Sequence, residues 1–564
     1  MEVNPLIYIT WLLHTLAWLN WGKLANKAAP LWYRNIGKEK ESIAAKGAEL
    51  IAEKISLFKL GADTLISSLI GGLISWAIIY FIQTPVLPFY VLLTFLAMLC
   101  LNLYIRNKIN QTYMPGVEPT IRKIAYWIFI LATVGAIVIT GFSAQSLHEI
   151  PPIVNASGTG NISFVHMRQV PDISAIYPTS SLLGEYGDKY AIDNAHTQAI
   201  NGSLTLLLPI KYDGEIKAWQ HENDGTPGYF MVNAENPAAE PIRVISKKMK
   251  YVPSAVFDKD LGRLIYYQYP NYWQKEPIFQ LNGTQPIYVT MLTKPTIMGL
   301  IGEIPVGIVV TDPVNGTMEL HDMDNIPNYV QRAISEKLVE QYVDWWSSYG
   351  LGLRNYLLGQ EGVKVPTGAI KIDTGDDDSD SGRISIKKGD MHAYTVMCDD
   401  GRLYYCNILT TPGSENSMVG YILTDTNKWP MRMDLYKLEG TSDIGAARKL
   451  QGLPEIATAM GYHATEPVPY YINGTAVWIG PVISKEQDQV EMFGLVVLNG
   501  KTSFLEPSAE EAINAYRLWQ KDPSRIESDT ITIKIGDLDK LAQENAILKE
   551  HAEKSAAILN RIQR

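Results

Sequence analysis

Residues 307–320 read GIVVTDPVNGTMEL, and this stretch decides the fold of the larger part of the chain. A glycine precedes a short apolar run, Asp312 follows where a turn should begin, and a second short strand comes next. β-Branched residues fit a pleated, half-buried strand, and an Asp side chain starts a turn by bonding to nearby backbone. The stretch therefore predicts an antiparallel hairpin.

The same pattern occurs three more times, as GYFMVN at 228–233, GYILTD at 420–425 and GLVVLN at 494–499. A second strand is expected after each copy, at residues 242–245, 317–320, 431–436 and 503–505. Helical patterns follow the last three copies, at residues 327–346, 441–450 and 507–519, with capping residues at their starts. Helices on one face of an antiparallel sheet give an α+β fold, built here from repeated strand–turn–strand–helix units.

This unit resembles the PepSY or cystatin-like modules of prokaryotic envelope proteins. The resemblance rests on residues 307–320, and the stretch MKYVPSAVF at 249–257 is similar to one in uncharacterised prokaryotic multi-pass membrane proteins. It covers residues 225–520, and the uneven spacing of the units departs from a regular solenoid. The resemblance implies binding or inhibition rather than catalysis, and it transfers no functional residue to this chain.

The first 145 residues contain four apolar runs, at 6–21, 65–82, 86–105 and 124–142. The last run has 19 residues and no charge, and a helix needs roughly 20 residues to cross a bilayer core. No Asp, Glu, Lys or Arg interrupts the last three runs, which argues against a proton path and favours an anchor. We expect a transmembrane region of three or four helices, because the first run is short and could instead lie on the membrane.

The orientation follows from the loop charges. Lys and Arg cluster in the loops at 22–64 and 106–123, whereas the tight turn at 83–85 has none. Basic loops stay cytoplasmic, so the fourth helix exits outward. We predict a multi-pass plasma-membrane protein with its C-terminal three quarters extracytoplasmic.

Charge and cysteine content restrict the other partners. The net charge is −10, which disfavours nucleic acid because phosphate binding needs a basic face. Cys398 and Cys406 flank a plausible turn at 399–401. A disulfide across that turn would suit an oxidising compartment, and two buried free thiols are the alternative.

Six Asn-x-Ser/Thr sequons lie after the last apolar run and predict a glycoprotein. They begin at Asn155, Asn161, Asn201, Asn282, Asn315 and Asn473.

An acidic run at 373–382 contains Asp376, Asp378 and Asp380, whose alternating spacing can present oxygens to Ca²⁺. The run departs from an EF-hand in its glycine position and its twelfth residue, so a solvated loop is the alternative. No other cofactor is predicted.

The C-terminal residues 536–564 predict a coiled-coil helix and a homo-oligomer, with Asn545 at a position that can specify register. One amphipathic helix packed on its own domain is the alternative. The seam is formed by Leu538, Leu541, Asn545, Leu548, Leu559 and Ile562.

These features divide the chain into parts. The predicted boundaries are 1–145 for the transmembrane region, 146–224 for a β-rich neck or small domain, 225–365 and 385–525 for two module pairs, 366–384 for an acidic loop and 536–564 for the coiled coil.

The predicted function is a membrane-anchored structural or interaction protein that self-assembles and presents its modules at the cell surface to an envelope protein or a glycan. Aromatic-rich stretches at 266–273 and 345–349 could contact such a partner, or could belong to the core. The alternative is a subunit of an oligomeric channel or translocation complex. An envelope enzyme or a modulator of an envelope protease is a third hypothesis, but the sequence carries no catalytic signature, and we expect no enzyme.

Overall fold

The structure is a computed structural model, and its described residues form an α+β fold, as predicted. It describes residues 4–17, 143–245, 248–297, 301–352, 362–372, 384–391, 393–457, 461–484 and 488–522, and individual residues among 69–135 and at 299, 355 and 358. The first elements in chain order are α1 (Pro5–Leu16), α2 (Ala144–Glu149) and β1 (Ile153–Asn155).

No helix within those described residues is both long and apolar enough to cross a membrane. Most residues of the predicted crossings at 65–82, 86–105 and 124–142 lie outside the described part.

Four modules follow, and each has the same order of elements: a helix, an interrupted first strand, a long second strand, a third strand and a short fourth strand. Module 1 contains α3 (Asp172–Ser181), β2 (Tyr190–Ile192), β3 (His196–Ile200), β4 (Ser203–Tyr212), α4 (Glu215–Gln220), β5 (Tyr229–Asn233) and β6 (Ile242–Val244). Module 2 contains α5 (Leu261–Gln268), β7 (Trp273–Gln274), β8 (Ile278–Asn282), β9 (Gln285–Ile297), β10 (Ile301–Thr311) and β11 (Met318–Asp322).

Modules 3 and 4 complete the series. Module 3 contains α6 (Glu336–Tyr349), β12 (Val365–Pro366), β13 (Gly368–Ile372), β14 (Ile384–Met391), β15 (Tyr394–Met397), β16 (Leu403–Thr411), β17 (Ser414–Asp425), β18 (Met433–Tyr436) and β19 (Gly440–Thr441). Module 4 contains α7 (Asp443–Gln451), α8 (Pro454–Ala457), β20 (Tyr462–Ala464), β21 (Val468–Ile472), β22 (Thr475–Ser484), β23 (Val490–Val497) and β24 (Ser503–Glu506), followed by α9 (Ala509–Lys521).

Each module folds into an antiparallel sheet in which both pieces of the first strand pair with the second strand. The first strand is interrupted at residues 193–195, 275–277 and 465–467 in modules 1, 2 and 4. In module 3 the interruption spans residues 367–393 and carries the two-stranded ribbon β13–β14. The ribbon is therefore inserted where the other modules have only a short break.

The predicted hairpins are confirmed. The four glycine-led runs are β5, β10, β17 and β23, and each pairs with the short fourth strand of its module. A Cβ atom on Gly228, Gly307 or Gly420 would lie 2.1, 2.6 or 2.5 Å from a backbone oxygen of that fourth strand. Only glycine permits so close an approach, which explains why the residue recurs.

Several predicted boundaries are wrong. Helix α6 packs on β12 and β16 of the sheet that follows it, whereas the sequence placed it after the preceding sheet; α9 packs on β23 and β24, as the sequence placed it. The predicted neck at 146–224 includes β4, which pairs with β5 and so belongs to module 1. The predicted acidic loop at 366–384 includes β13, which pairs with β14, so its first part is a strand.

The linker between modules 2 and 3 lies at the centre of the packed modules. Three buried or half-buried glutamines bond to backbone groups of a neighbouring module or of this linker: Gln198 to Leu281, Gln280 to residues 331 and 332, and Gln331 to Ala199. Each amide replaces the bonds that a neighbouring peptide group would make, so no buried backbone group is left unsatisfied at these joints.

Two buried arginines strengthen the same centre. Arg168 pairs with Asp172 of module 1 at 2.8 Å and with Glu466 of module 4 at 3.2 Å. Arg332 pairs with Glu336 at 3.4 Å and donates to the Tyr405 hydroxyl of module 3. Buried charges are tolerated only when paired, so these contacts tie the modules into one body.

The N-terminal segment contacts module 2. The backbone N–H of Asn4 donates to the carbonyl of Tyr267 at 2.9 Å, and that of Val86 donates to the carbonyl of Pro270 at 2.7 Å. Ile7 and Ile79 pack with Tyr266, which is buried. The end of α5 is therefore the surface of module 2 that receives two separate parts of the first hundred residues.

Candidate functional site

Two of the predicted sites lie outside the described residues. Asp376, Asp378 and Asp380 belong to the segment between β13 and β14, and the predicted coiled-coil residues belong to 523–564. The Ca²⁺ site and the coiled coil therefore stay predictions. Within the described part, no group of three His, Cys, Asp or Glu side chains is arranged to hold a metal ion.

The predicted disulfide is wrong, because Cys398 and Cys406 are both buried free thiols. The hairpin register pairs Tyr394 with Cys406 and Met397 with Leu403, so the two cysteines lie about four positions apart along the strands. That offset is about 13 Å, and a disulfide needs Cα atoms within roughly 7 Å. Burial raises the pKa of Cys398 to about 12, which leaves this thiol protonated and unreactive.

All six sequon asparagines are exposed. Three of them begin the Asn-Gly turns that join β3 to β4, β8 to β9 and β21 to β22. Asn201 and Asn473 have φ angles of 52° and 49°, the left-handed geometry that such tight hairpins require. Turn chemistry therefore accounts for the recurrence of Asn-Gly-Ser/Thr, and glycosylation stays a prediction.

The predicted aromatic stretches have divided roles. Tyr266 is buried against the N-terminal segment, and Trp345 is buried in the core between modules 2 and 3. Trp346, the next residue, lines a groove instead.

This groove is the candidate functional site. It is a partly open cavity of about 260 Å³ between α2, the end of α6 and the segment that leads into β12. Its lining is formed by His148, Trp346, Ser347, Gly350, Leu351, Gly362, Val363 and Lys364. No carboxylate is among these residues, so the groove offers cationic, aromatic and hydroxyl groups.

Packing of α2 against α6 builds one wall. Leu147 is buried in the core shared by modules 2 and 3, which turns the next residue, His148, toward the end of α6. The His148 ring lies nearly parallel to that of Trp346, with ring centroids 6.4 Å apart. A Cβ on Gly350 would lie 3.3 Å from the His148 ring, so a small residue there leaves room for the imidazole.

The protonation of His148 is fixed at one nitrogen. Its Nδ1 lies 2.8 Å from the carbonyl oxygen of Trp346. A carbonyl can only accept, so Nδ1 carries the hydrogen and donates it. This leaves Nε2 on the opposite edge of the ring, where no described residue bonds to it.

Lys364 supplies the positive charge of the groove. Its ammonium lies 5.5 Å from the centre of the Trp346 ring, which is a cation–π contact. Burial, together with the neighbouring Lys437, lowers the pKa of Lys364 below its ordinary value. No carboxylate of the described residues forms an ion pair with this lysine, so the charge is available to an anion.

The sequence did not reveal this groove. His148 and Trp346 come from elements 198 residues apart, and each is unremarkable in its local context. The only local signal was Trp346 in the aromatic stretch at 345–349.

No protein-family model, no curated protein and no solved structure matches the chain.

Proposed function

We propose that the chain is a membrane-anchored interaction protein that self-assembles and presents its four modules on the extracytoplasmic side of the plasma membrane. The resemblance of the glycine-led hairpins, as at residues 307–320, to those of PepSY or cystatin-like units favours binding over catalysis as the role of the outer region.

One observation carries this proposal. Asn4 and Val86 donate backbone hydrogen bonds to Tyr267 and Pro270, both at the end of α5. With cytoplasmic basic loops, a crossing first run would place the chain start, the turn at 83–85 and residue 143 on the same outer side. Asn4 and Val86 contact module 2 through these bonds, and α2, which begins at Ala144, packs against α6 of module 3. All three points of the chain therefore contact the modules. The topology from loop charge and the contacts of the chain therefore agree.

Burial in the N-terminal segment gives separate support. Thr10, His14, Ser75 and Asn102 are buried, whereas Leu12, Leu73 and Trp76 are exposed. Trp11 Nε1 donates to the Gly72 carbonyl at 2.8 Å, and Asn102 Nδ2 donates to the Ala17 carbonyl at 2.9 Å. Polar contacts between helices inside and apolar side chains outside are the arrangement expected when the surrounding solvent is lipid.

The topology can be tested by labelling introduced cysteines in a Cys100→Ser background. Asn473→Cys places a thiol in an exposed hairpin turn, and Lys38→Cys places one in the first basic loop. We expect a membrane-impermeant maleimide to label Asn473→Cys in intact cells and to label Lys38→Cys only after permeabilisation. The reverse pattern, or release of the protein from membranes by alkaline carbonate, would overturn the proposal.

Self-assembly has its own test. The mass of the detergent-solubilised full chain is compared with that of a chain lacking residues 536–564. We expect an oligomer whose order falls on truncation, and a monomer in both cases would exclude the assembly role.

A further inference from the structure

We infer that the groove between α2 and α6 binds the phosphate-bearing headgroup of an anionic lipid in the outer leaflet. This inference rests on the proposed membrane anchoring, and it assigns a lipid class and a residue set to one part of that anchor.

The position of the groove favours a lipid over a free solute. The last predicted crossing ends at residue 142, and α2 covers Ala144–Glu149. At 1.5 Å per residue, His148 lies within about 10 Å of the end of that crossing. The polar headgroup layer on each side of a bilayer is roughly 5–8 Å thick. The groove therefore lies in the headgroup layer or at its outer edge.

The chemistry of the lining fits a phosphate. Lys364 is a half-buried cation that forms no ion pair with a carboxylate of the described residues. It lies beside Ser347, whose hydroxyl donates to the Asp344 carbonyl, so the lysine is the group that would contact the phosphate. Lysine binds phosphate as a point charge, and burial strengthens that attraction by reducing the local dielectric.

The rim fits the apolar part of a lipid. Leu351 lines the groove on the segment that follows α6, and it is 66% exposed. A large exposed leucine beside a tryptophan and a lysine is typical of a surface that contacts the boundary between headgroups and acyl chains. Trp346 joins the two regions, because its ring contacts Lys364 and lines the groove.

The test compares lipid retention by the full-length protein. Protein reconstituted in an equimolar mixture of phosphatidylglycerol and phosphatidylcholine is extracted in mild detergent, and its bound lipids are counted by native mass spectrometry. One lysine near a membrane surface changes anionic-lipid binding by about fivefold. We therefore expect a preference for phosphatidylglycerol that Lys364→Gln lowers by about that factor.

Two variants make the result specific. Lys364→Arg should keep the preference, since the charge is retained. Lys437→Gln is the matched control: Lys437 is exposed and close to Lys364 but does not line the groove, and its loss should leave the preference unchanged. Equal thermal transitions for all variants would show that folding is intact.

Three results would overturn the inference: an unchanged preference in Lys364→Gln, an equal loss in Lys437→Gln, or complete displacement of the lipid by millimolar inorganic phosphate, which would mark a site for free anions. Failure of the anchor itself is distinguishable, because wild-type protein would then leave the membrane on carbonate extraction whatever the residue at 364.

Discussion

The four modules and the N-terminal helical segment differ in where they place large apolar side chains. In the modules, most fully buried residues are apolar, such as Trp478 and Leu338, which are 1% and 0% exposed. In the N-terminal segment, His14 and Asn102 are 1% and 2% exposed, whereas Leu12 and Leu73 are 55% and 68% exposed. The two regions of one chain therefore follow different rules of burial.

The proposed membrane anchoring would account for this difference. Burying leucine stabilises a fold only when the alternative is contact with water. In lipid that gain is absent, so helices associate through close packing and polar contacts instead. The comparison predicts that similar substitutions change the free energy of unfolding differently in the two regions.

The largest expected effect separates two leucines. Leu338 lies in α6 between modules 2 and 3, and Leu338→Ala should lower the free energy of unfolding by about 3 kcal/mol through lost burial and a residual cavity. Leu12→Ala on the exposed face of α1 should change it by less than about 0.5 kcal/mol. Chemical denaturation in detergent, monitored by tryptophan fluorescence, gives both values.

A loss at position 12 as large as that at position 338 would show that α1 has a buried apolar face. The comparison between the two regions would then fail.

The hairpins of the modules could be predicted because their signals are local. Gly307, the apolar run after it and the Asp312 turn lie within a few residues of one another. Strands β4 and β22 were missed because proline interrupts their pattern, at Pro209 and at Pro481. Both prolines lie beside the interruption of the first strand of their module. The Pro209 carbonyl accepts a hydrogen bond from the backbone N–H of Asp193, and the Pro481 carbonyl accepts one from that of Thr465.

The order of elements and the groove could not be predicted for a different reason. In a chain of repeats, each helix lies between two sheets, and the sequence does not say which of the two it packs on. Only the packing assigns the helix to a module. The groove depends on contact between α2 and α6, which no local pattern encodes.

Three of the sequons lie at tight hairpin turns, where Asn-Gly is favoured by the turn geometry. Their recurrence therefore supports turns more strongly than it supports glycosylation.

The recurring glycine provides the second prediction, which sharpens the account of the modules. A Cβ on Gly307 would lie 2.6 Å from the carbonyl oxygen of His321, which belongs to β11. Gly307→Ala must push the fourth strand away and should cost about 2 kcal/mol. Gly187→Ala is the control, because its new Cβ would meet no atom closer than 3.4 Å. Thermal unfolding of both variants measures the contrast, and equal transition temperatures would remove the steric explanation of the repeat.

The smallest expected effect compares two buried asparagines. Asn102 donates to the Ala17 carbonyl at 2.9 Å, and polar contacts between membrane helices stabilise by about 0.6 kcal/mol on average. Asn102→Leu should therefore destabilise the N-terminal segment by roughly that amount.

Asn407 in β16 is 0% exposed, and neither of its amide atoms has a hydrogen-bond partner among the described residues. An unsatisfied buried amide costs about 1–3 kcal/mol, so Asn407→Leu should be neutral or stabilising. The two substitutions are chemically identical, and the comparison between the regions predicts opposite signs for them. Equilibrium unfolding of the two variants and of wild type in the same detergent tests this prediction. If both substitutions lowered the free energy of unfolding, the contrast between the two regions would be wrong.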